Sequence, residues 1–553
     1  MMMRYKPEYP RLGASPRPKA RVLFSPVNLT ANGRAHLGHA GGPFLRMDVL
    51  SRALKRAGHD VWSGLTTDGF ENHVVLGARA RGEDPAAMAH RFYELIRDDL
   101  AAIGIRFDRF DNPSHPENIA RFAAVKDSLL AALRAGGKVV LVDERLPVDD
   151  ALPDGAPIEE RFAVGAWFSA RCPRCHGPAG SFFCEACGAH FEPGEALEPA
   201  SRRGAITHWE ANRSYFLRID DVTALPRLWE QMHIEAPFVR IAGRHVDSRG
   251  AIMRLTIPGL YGLAWSSADL VNRQICFSYS SLLYAHSLYC GERHAESCGG
   301  SNDFATASDA YLIGATGIDN TIPMLVGVSG CALAQAAYRP FDRLYFNYFL
   351  SLEGSKFSTS RGHVIWAGDI AAAPNVDVDL LRVYLSEICP EEQETDFRIE
   401  ALVDRHNMLL ERVNGGIEAA RALLEPHTGP PAFDDRLLRK LEALLREQLE
   451  ALSLDLLRVS HASAPVIAWL EDASSLRSAS EAYTWLKGLA FLAWPIMCTL
   501  GEDLWHWLGH DGAPKSAEFF EQPVLMGDAP VALRGRRLTV ADLRACLPEA
   551  SLR

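Results

Sequence analysis

The amino-terminal part of the chain alternates between strand-like and helix-like patterns, and this alternation constrains the fold more than any other feature of the sequence. Residues 21–25 (RVLFS) form a short apolar run, which a loop containing Pro, Asn and Gly follows. Apolar side chains then recur at helical spacing from Leu37 to Ala57, before Gly58, and residues 60–65 form a second apolar run. A strand, a glycine-containing loop, a helix and a strand in this order predict a parallel, doubly wound α/β sheet.

Changes in pattern along the 553 residues predict several domains. The alternation stops near residue 116 and resumes near residue 240, and from about residue 400 the periodicity is almost entirely helical. We therefore expect an α/β domain that is split by an insertion and followed by an α-helical bundle. The predicted boundaries are 1–115 and 236–345 for the two halves of the α/β domain, 116–235 for the insertion, 346–400 for a junction and 401–553 for the bundle with a short tail. Further predicted elements are a helix over residues 85–103 and strands over residues 309–315 and 343–352.

Composition and charge disfavour several classes of protein. The net charge is −11 and the pI is about 6.0, so the chain has no overall basic field for nucleic acid, although a single face could still be basic. The first 20 residues carry scattered charges and four prolines, unlike a signal peptide, and no apolar run approaches the roughly 18 residues of a spanning helix. We therefore expect a cytoplasmic protein that does not enter a membrane, and take it to be a monomer or a homodimer.

The eleven cysteines include two Cys-x-x-Cys pairs in the predicted insertion. Cys172 and Cys175 are separated from Cys184 and Cys187 by eight residues, a spacing that suits tetrahedral thiolate ligation of zinc better than disulfides. Four protein ligands leave no open position for water, so the predicted zinc site is structural. A redox dithiol pair and an iron–sulfur centre are the alternatives.

A polar segment, NGRAHLGH (residues 32–39), lies between the first predicted strand and the first long helix. Backbone N–H groups at a helix start attract anions, and His36 and His39 can donate hydrogen bonds to phosphate oxygens. Gly38 leaves room for a flat base to approach the backbone. The segment is a candidate nucleotide-binding loop, and histidines that are merely exposed or that hold a metal are the alternative.

A second polar segment, LEGSKFSTSRG (residues 352–362), lies about 320 residues later, after another predicted strand. It carries cations and hydroxyl groups between glycines. Such a loop can close over a polyphosphate, with Lys356 neutralising the charge that develops at the α-phosphate. Taken alone, the segment is better interpreted as a solvated serine-rich turn.

Together, HLGH and KFSTS resemble the paired signatures HIGH and KMSKS of class I aminoacyl-tRNA synthetases. Over roughly residues 20–420 the chain looks most like the methionyl-tRNA synthetase family. The other segments that carry this resemblance are Ala31-Asn32-Gly33, Thr66-Thr67-Asp68, Gly317-Ile318-Asp319, Asp396-Phe397 and Arg405-His406-Asn407. The resemblance implies a Rossmann-like catalytic domain with a zinc-bearing insertion, followed by a helical domain that reads the anticodon.

The resemblance also implies a reaction and the residues that perform it. The carboxylate of an amino acid would attack the α-phosphate of ATP, accompanied by Mg²⁺, to give an aminoacyl-adenylate and pyrophosphate. Asp68 would accept hydrogen bonds from the α-amino group and so orient the carboxylate of the amino acid. The predicted catalytic residues around the phosphates are His36, His39, Lys356 and Ser358, and the other predicted ATP-binding residues are Asn32, Gly33, Gly38, Asp319 (at the ribose) and Arg361. The remaining predicted amino-acid-binding residues are Asn28, Phe277, Ser280, Tyr284 and Met324.

The predicted amino-acid pocket departs from the methionine-specific pattern. Thr30 occupies the position of a tyrosine, Phe277 replaces a tryptophan, and residues 280–281 are serines where small apolar residues are usual. We expect Phe277 and Tyr284 to lie on one helical face. Residues 320–324 (NTIPM) lack the family's Phe-His pair. A pocket with more hydroxyls and fewer large aromatics suits an amino acid other than methionine, the alternative being a displaced alignment.

Features of the KFSTS segment and of the helical region disfavour tRNA as a partner. The second lysine of KMSKS is Thr359, and residues 470–475 (LEDASS) lack the Pro-Trp pair on which the family stacks an anticodon base. Residues 401–513 contain ten Lys or Arg and sixteen Asp or Glu, a net charge of −6, whereas RNA affinity depends on phosphate neutralisation. A small basic stripe within this acidic total is the alternative. Trp494, Trp505 and Trp507 fit packing between helices better than base stacking.

Three functional hypotheses follow. The leading one is ATP-dependent activation of an amino acid other than methionine. The activated amino acid would pass to a small-molecule acceptor, as in the hydrazine synthetases of specialised metabolism, and a separate partner enzyme would then be needed. The second is an authentic, divergent methionine–tRNA ligase, and the third is a non-catalytic tRNA-binding relic. The joint presence of His36, His39, Asp68 and Lys356 disfavours the relic, because a non-catalytic protein has no need of this charge-handling set.

Overall fold

A computed structural model describes residues 4–149, 157–184, 187–265, 267, 269–359, 362–425, 429–526 and 531–548. The chain begins with the predicted alternation of strands and helices. Its first elements are β1 (Arg21–Phe24), β2 (Leu29–Thr30), α1 (Leu37–His39), α2 (Leu45–Ala57), β3 (Asp60–Asp68), α3 (Asn72–Arg81), α4 (Pro85–Ala102) and β4 (Arg109–Asp111). The predicted strand over 60–65 therefore extends by three residues, to Asp68.

The helix predicted over residues 37–57 is interrupted, which corrects the sequence-based expectation. Ala40–Phe44 forms a π-type turn between α1 and α2, in which Gly42 has non-helical angles (φ −98°, ψ −114°) and Pro43 has no N–H to donate. The predicted end of the helix is confirmed, because Gly58 closes α2 in the left-handed conformation (φ 95°) that favours glycine.

The insertion contains a helix, a long antiparallel strand pair and a small cysteine-bearing sheet. Its elements are α5 (Pro116–Ala135), β5 (Val139–Asp149), α6 (Ile158–Arg161), β6 (Phe168–Arg171), β7 (Pro178–Ala179), β8 (Leu197–Ser201), β9 (Ile206–Ile219) and α7 (Ala224–Gln231). Strand β9 pairs with β5 along almost its whole length, and β6 lies between β7 and β8.

The second half of the α/β domain returns to the first sheet. Its elements are α8 (Ala236–Arg249), β10 (Ala251–Arg254), β11 (Thr256–Pro258), β12 (Ala264–Trp265), β13 (Gln274–Cys276), α9 (Ser281–Cys298), β14 (Tyr311–Gly317), α10 (Ser329–Leu333) and β15 (Arg343–Asn347). The main sheet has the order β15–β14–β1–β3–β2, with β4 also paired to β3, and every pairing in it is parallel. The predicted parallel α/β sheet is confirmed.

The order of the strands places a crevice at β1. The chain leaves β1 towards β3 on one side and, after the insertion, returns to β14 on the other side. In open parallel sheets, ligands bind outside the carboxyl ends of the strands at such a switch point. The HLGH segment, the end of β3 and the end of β14 all lie at this edge.

The junction forms a three-stranded sheet of its own. Its elements are β16 (Leu350–Leu352), β17 (Ser355–Lys356), α11 (Ala367–Ala371), α12 (Val378–Glu387) and β18 (Thr395–Phe397), and the strands lie in the order β17–β16–β18. The strand predicted over residues 343–352 is therefore two strands in different sheets, β15 and β16. The chain turns away between them, where Tyr348 N donates a hydrogen bond to Pro390 O (2.8 Å).

The carboxyl-terminal part is the predicted helical bundle. Its helices are α13 (Ile399–Leu424), α14 (Asp435–Ala451), α15 (Val459–Ala462), α16 (Ala464–Leu470), α17 (Ala479–Ala493), α18 (Cys498–Trp507) and α19 (Val540–Leu543). One apolar core joins α2 on one face of the main sheet to this bundle, and another joins α9 on the opposite face to the insertion. Buried Arg46 of α2 reinforces the first contact by donating hydrogen bonds to Phe346 O (3.0 Å) and Leu457 O (2.8 Å).

Candidate active site

The two signature segments meet in the structure. The ring of His36 stacks on that of His39 and on that of Phe357 of the KFSTS segment, with centroid distances of 3.8 Å and 5.1 Å. Gly38 permits this packing, because a Cβ atom at that position would lie 2.9 Å from the His36 ring and 3.3 Å from Phe357. The HLGH and KFSTS segments therefore form one wall of the crevice at the switch point.

Two backbone hydrogen bonds also connect these regions of the chain. Leu37 N donates to Ile365 O (3.0 Å), and Ala367 N donates to Ala35 O (3.0 Å). Together they align the HLGH segment with the residues that follow the KFSTS segment, although more than 300 residues separate the two in sequence.

Burial keeps both signature histidines neutral. It lowers the pKa of His39 to about 4, and it lowers the pKa of His36 well below the ordinary value, with the nearby His39 and Lys356 acting in the same direction. Within the described part of the chain, the Nδ1 atom of each ring is buried and has no hydrogen-bond partner. Two neutral imidazoles with unused hydrogen-bonding capacity therefore lie at the crevice.

The KFSTS segment follows a tight hairpin between β16 and β17. The exposed Lys356 lies in β17, with its Nζ atom 4.2 Å from the centroid of the Phe349 ring. Ser358 pairs with His363 through two backbone hydrogen bonds of 2.9 Å and 3.0 Å, which close the loop. Arg361, a predicted ATP-binding residue, lies outside the described residues.

The other predicted ATP-binding residues follow the strands of the main sheet. Asn32 turns the chain after β2, where its N–H donates to Thr30 O (2.9 Å). A Cβ atom at Gly33 would lie 4.0 Å from the side chain of Thr359, so the two signature loops approach each other here as well. Asp319 is half-buried in a short 3₁₀ turn that follows β14.

Asp68 ends β3 as a buried carboxylate, 1% exposed. One of its oxygens, Oδ1, accepts a hydrogen bond from Phe70 N (2.8 Å), and the other, Oδ2, lies 3.9 Å from His286 Nε2. Burial raises the pKa of Asp68 well above the usual range, and the charge of Glu71 raises it further, against the opposing effect of the Phe70 N–H. His286 is a histidine that the sequence analysis did not single out, because a lone histidine on a buried helix resembles an ordinary core residue.

Two of the predicted pocket residues, Ser280 just before α9 and Tyr284 within it, donate their hydroxyl protons within the protein. Ser280 Oγ donates to Arg254 O, and Tyr284 Oη donates to Arg339 O (2.7 Å). Helix α9 begins only at Ser281, so Phe277 precedes the helix, and the expected shared helical face of Phe277 and Tyr284 is wrong. Phe277 is buried against Phe182 of the insertion, with a ring distance of 5.2 Å.

Asn28, which follows β1, and Met324, which follows β14, differ in their surroundings. Asn28 is half-buried, and its Oδ1 atom has no partner within the described part of the chain. Met324 is buried in a π-type turn (Pro323–Val328) after β14 and belongs to the core that joins α9 to the insertion. The roles predicted for these two residues, and for Phe277, Ser280 and Tyr284, stay predictions.

A cleft of about 510 Å³ opens between the catalytic domain and the insertion. It is lined by Phe277 from the predicted pocket, by Ser358 from the KFSTS segment, and by Glu71, Phe182 and Arg202 among others. The cleft is thus continuous with both the predicted amino-acid side and the predicted phosphate side of the site.

Arg34 fixes the position of the HLGH segment and was not predicted. Its guanidinium donates to Asp99 Oδ1 (2.6 Å) and Oδ2 (3.1 Å) on α4 and to Asp369 Oδ1 (2.8 Å) on α11. Asp99 also accepts hydrogen bonds from the N–H groups of Ala35 and Gly368. The position of Arg34 inside the NGRAHLGH motif was the sequence signal that could have indicated this role.

The four cysteines of the insertion form one cluster. Their sulfur atoms all lie within 4.8 Å of one another, and the Cys172–Cys187 and Cys175–Cys184 pairs are 3.7 Å and 3.6 Å apart. Four sulfurs at a Zn–S distance of about 2.3 Å around a tetrahedral ion are about 3.8 Å apart, so the donor set and its spacing fit zinc. Among the described residues, this is the only group of three or more potential ligands arranged in this way.

Comparison with known proteins assigns the family. The family described as tRNA synthetases class I (M) matches residues 28–241 and 325–419, more than half of the chain. This protein belongs to the class I tRNA synthetase (M) family. The resemblance seen in HLGH and KFSTS is thereby confirmed, as is the predicted fold class.

Individual members of the family are distant from this chain. The methionine–tRNA ligase of Methanocaldococcus jannaschii is 24% identical over 455 residues, which cover 78% of this chain and 64% of the ligase. That of Salinibacter ruber is 26% identical over 426 residues, covering 73% and 57% of the two chains. This chain therefore spans less than two thirds of the length of these relatives.

A solved structure shares the fold. The Mycobacterium tuberculosis methionyl-tRNA synthetase in complex with methionyl-adenylate superposes with a TM-score of 0.67 at 16% identity, over 93% of this chain and all of the other. At this level of identity the likeness concerns the fold alone.

The tryptophans of the helical bundle are packed inside it. Trp469 and Trp485 each donate a hydrogen bond from Nε1 to the backbone oxygen of the other (2.9 Å and 3.0 Å). Trp494, Trp505 and Trp507 are buried, which confirms their predicted role in helix packing. Among the described residues, no helix combines the length and the apolar character that crossing a bilayer requires.

Proposed function

We propose that this protein activates an amino acid with ATP to form an aminoacyl-adenylate and pyrophosphate. The observation that carries the proposal is the stacking of His36 on Phe357, which brings the HLGH and KFSTS segments together at the crevice of the sheet. Family membership supports the same reaction.

In the proposed reaction an oxygen of the amino-acid carboxylate attacks the α-phosphorus of ATP. The bond between the α-phosphorus and its bridging oxygen to the β-phosphate breaks, and pyrophosphate leaves. His36 and His39, neutral at pH 7, would donate N–H hydrogen bonds to phosphate oxygens, and Lys356 would offset their growing negative charge. Asp68 would hold the ammonium group of the amino acid, and Mg²⁺ would accompany ATP.

The relatives favour methionine as the amino acid that is activated and tRNA as the acceptor to which it is then transferred. Those from Methanocaldococcus jannaschii and Salinibacter ruber are both named methionine–tRNA ligases. Because this chain spans only 64% and 57% of their lengths, both assignments are part of the proposal.

Transfer to a small-molecule acceptor, as in hydrazine synthetases, is the second candidate, and residue-level observations favour it. Thr30 replaces the family tyrosine, and its hydroxyl donates to Glu71 Oε2 (2.9 Å) at the edge of the pocket. Residues 470–475 end α16 in a 3₁₀ turn without an exposed tryptophan, in a bundle whose net charge over residues 401–513 is −6. Such a surface is a weak platform for an anticodon loop.

Pyrophosphate exchange measures the first step directly. The protein is assayed with each of the twenty amino acids, and the active ones are then tested with tRNA and with N-hydroxylated amines as acceptors. Exchange with methionine together with tRNA charging supports the ligase, whereas exchange with another amino acid and transfer to an amine acceptor supports the second candidate. No exchange with any amino acid overturns the proposed activation and favours a tRNA-binding relic.

We also propose that the cysteine cluster binds one structural zinc ion. Metal analysis of the purified protein should give about one equivalent of zinc, and Cys184→Ser should lose it, because one of the four thiolate ligands is removed. Thermal unfolding should then begin at a lower temperature. A purified protein without zinc, or with iron in its place, contradicts this assignment.

A further inference from the structure

We propose that His286 is a second binding residue for the α-ammonium group of the amino-acid substrate, acting beside Asp68. The inference rests on the proposed amino-acid activation and names a residue that determines how the amine is recognised. It starts from one buried nitrogen atom, His286 Nε2, that has no hydrogen-bond partner within the described part of the chain.

The surroundings of His286 fix its ring in place. The residue is 3% exposed in α9, its Nδ1 atom lies 2.9 Å from Thr66 Oγ1, and its ring packs on Phe122 at a centroid distance of 4.7 Å. Thr66 lies in β3, two residues before Asp68, so the contact that holds the ring also sets its distance from the carboxylate. The Nε2 atom points towards Asp68 Oδ2, 3.9 Å away.

That separation is too long for a direct hydrogen bond and suits a shared ligand atom. An ammonium nitrogen placed about 2.8 Å from both Asp68 Oδ2 and His286 Nε2 would see them about 90° apart, close enough to its tetrahedral N–H directions to donate to both. For this, the ring proton must be on Nδ1, donated to Thr66 Oγ1, so that Nε2 carries a lone pair. Burial lowers the pKa of His286 to about 3, which keeps the ring neutral at pH 7.

The charges around this position favour a cation. Asp68 and Glu71 are both acidic, and among the described residues no lysine or arginine pairs with Asp68. A buried carboxylate without a positive partner is unfavourable and is stabilised when a cation arrives. A primary ammonium group supplies both the charge for Asp68 and a second N–H for His286, which a hydroxyl group in the same place cannot do.

The test compares three substitutions at one position. In His286→Phe the ring shape stays and the acceptor is lost, in His286→Gln a polar atom remains near Nε2, and in His286→Asn one remains only near Nδ1. The wild type is first screened by pyrophosphate exchange with the twenty amino acids, and the best of them is used for all variants. Its carboxylic acid analogue without the α-amino group serves as a competitive inhibitor.

We expect His286→Phe to raise the KM for the amino acid about tenfold or more, the usual effect of losing a hydrogen bond to a charged group, with the KM for ATP unchanged within twofold. His286→Gln should recover most of this loss and His286→Asn should not. The inhibition constant of the des-amino analogue should be the same for wild type and variants, which a general distortion of the pocket would not produce. His294→Gln, a buried histidine later in α9, is the matched control and should leave the amino-acid KM unchanged.

Contrary results are distinguishable. Exchange by His286→Phe with an unshifted amino-acid KM, or an equal shift in the inhibition constant of the des-amino analogue, overturns the role of His286 and leaves the proposed activation standing. Absence of exchange by the wild type with every amino acid overturns both. If His286→Phe does not unfold cooperatively, equal KM values for the Gln and Asn variants overturn the inference.

Discussion

The phosphate side and the amino-acid side of the candidate site use their polar atoms differently. On the phosphate side, His36 and His39 each keep a buried Nδ1 atom without a partner among the described residues. On the amino-acid side, the hydroxyl groups of Ser280 and Tyr284 already donate to backbone oxygens. The phosphate side therefore retains hydrogen-bonding capacity for a ligand, whereas the pocket serines and tyrosine hold the backbone in shape.

This difference changes how the substitutions in the pocket are interpreted. The serines at 280 and 281 suggest a polar pocket in the sequence, but the Ser281 hydroxyl also donates internally, to Leu255 O (3.0 Å). Under the proposed function, selectivity among amino acids would then depend on the shape that Phe277 gives the cleft, whereas Asp68 would recognise the amine that all of them share. The following predictions test this division, from the largest expected effect to the smallest.

Lys356→Ala should reduce the rate of pyrophosphate exchange by about 100-fold or more, because it removes a charge that stabilises the transition state. The change should appear in kcat at saturating substrates. Lys138→Ala, which removes an exposed lysine paired with Asp220 in the insertion, is the matched control and should leave the rate unchanged. A Lys356→Ala rate within threefold of wild type would show that the phosphate side has been assigned to the wrong residues.

Asp68→Asn should lower kcat/KM for the amino acid about 30-fold or more, since a hydrogen bond to a charged group contributes about 2 kcal/mol. The KM for ATP should stay constant, which separates this side of the site from the other. An equal loss for both substrates would mean that Asp68 supports the whole crevice and does not bind the amine selectively.

The pH dependence should also divide between the two sides. Because the pKa of Asp68 is raised, the carboxylate takes up a proton at a higher pH than an ordinary aspartate, and kcat/KM for the amino acid should fall as the pH is lowered. At saturating amino acid, kcat should show no inflection near pH 6.5, because the pKa of His39 is about 4 and that of His36 is also well below its ordinary value. A kcat profile with an inflection near pH 6.5 would mean that His36 or His39 carries a charge during the reaction.

The smallest effect is expected for Ser280→Ala. Loss of the hydrogen bond to Arg254 O should lower the free energy of unfolding by about 1 kcal/mol, measured by urea denaturation. The amino-acid KM should stay within threefold, because the hydroxyl proton is already used inside the protein. A large change in amino-acid preference would return Ser280 to the set of residues that contact the substrate.

The parts of the fold that depend on short-range pattern could be predicted from the sequence. Apolar periodicity predicted the strands β1 and β3 of a parallel sheet and the helix α2 between them. The spacing of the four cysteines predicted their cluster, because its members lie within 16 residues of one another. The convergence of HLGH and KFSTS came from the resemblance to a family, since no local pattern connects segments more than 300 residues apart.

Partners from distant parts of the chain could not be predicted. The acceptors of the Ser280 and Tyr284 hydroxyls lie 26 and 55 residues away, and nothing in the local sequence indicates them. His286 was overlooked for the same reason, because only the folded chain brings its ring to the end of β3. The interruption of the first helix, by contrast, had a local signal in the Gly-Gly-Pro of residues 41–43, which apolar periodicity alone does not take into account.

The hydrogen bonds between Leu37 and Ile365 and between Ala367 and Ala35 bear on how the protein is made. During translation β1 can pair with β3 long before residues 365–367 have left the ribosome. The nascent amino-terminal half therefore lacks the second half of the phosphate-binding wall. An incomplete chain released early from the ribosome would carry the histidine motif without the geometry to consume nucleotide.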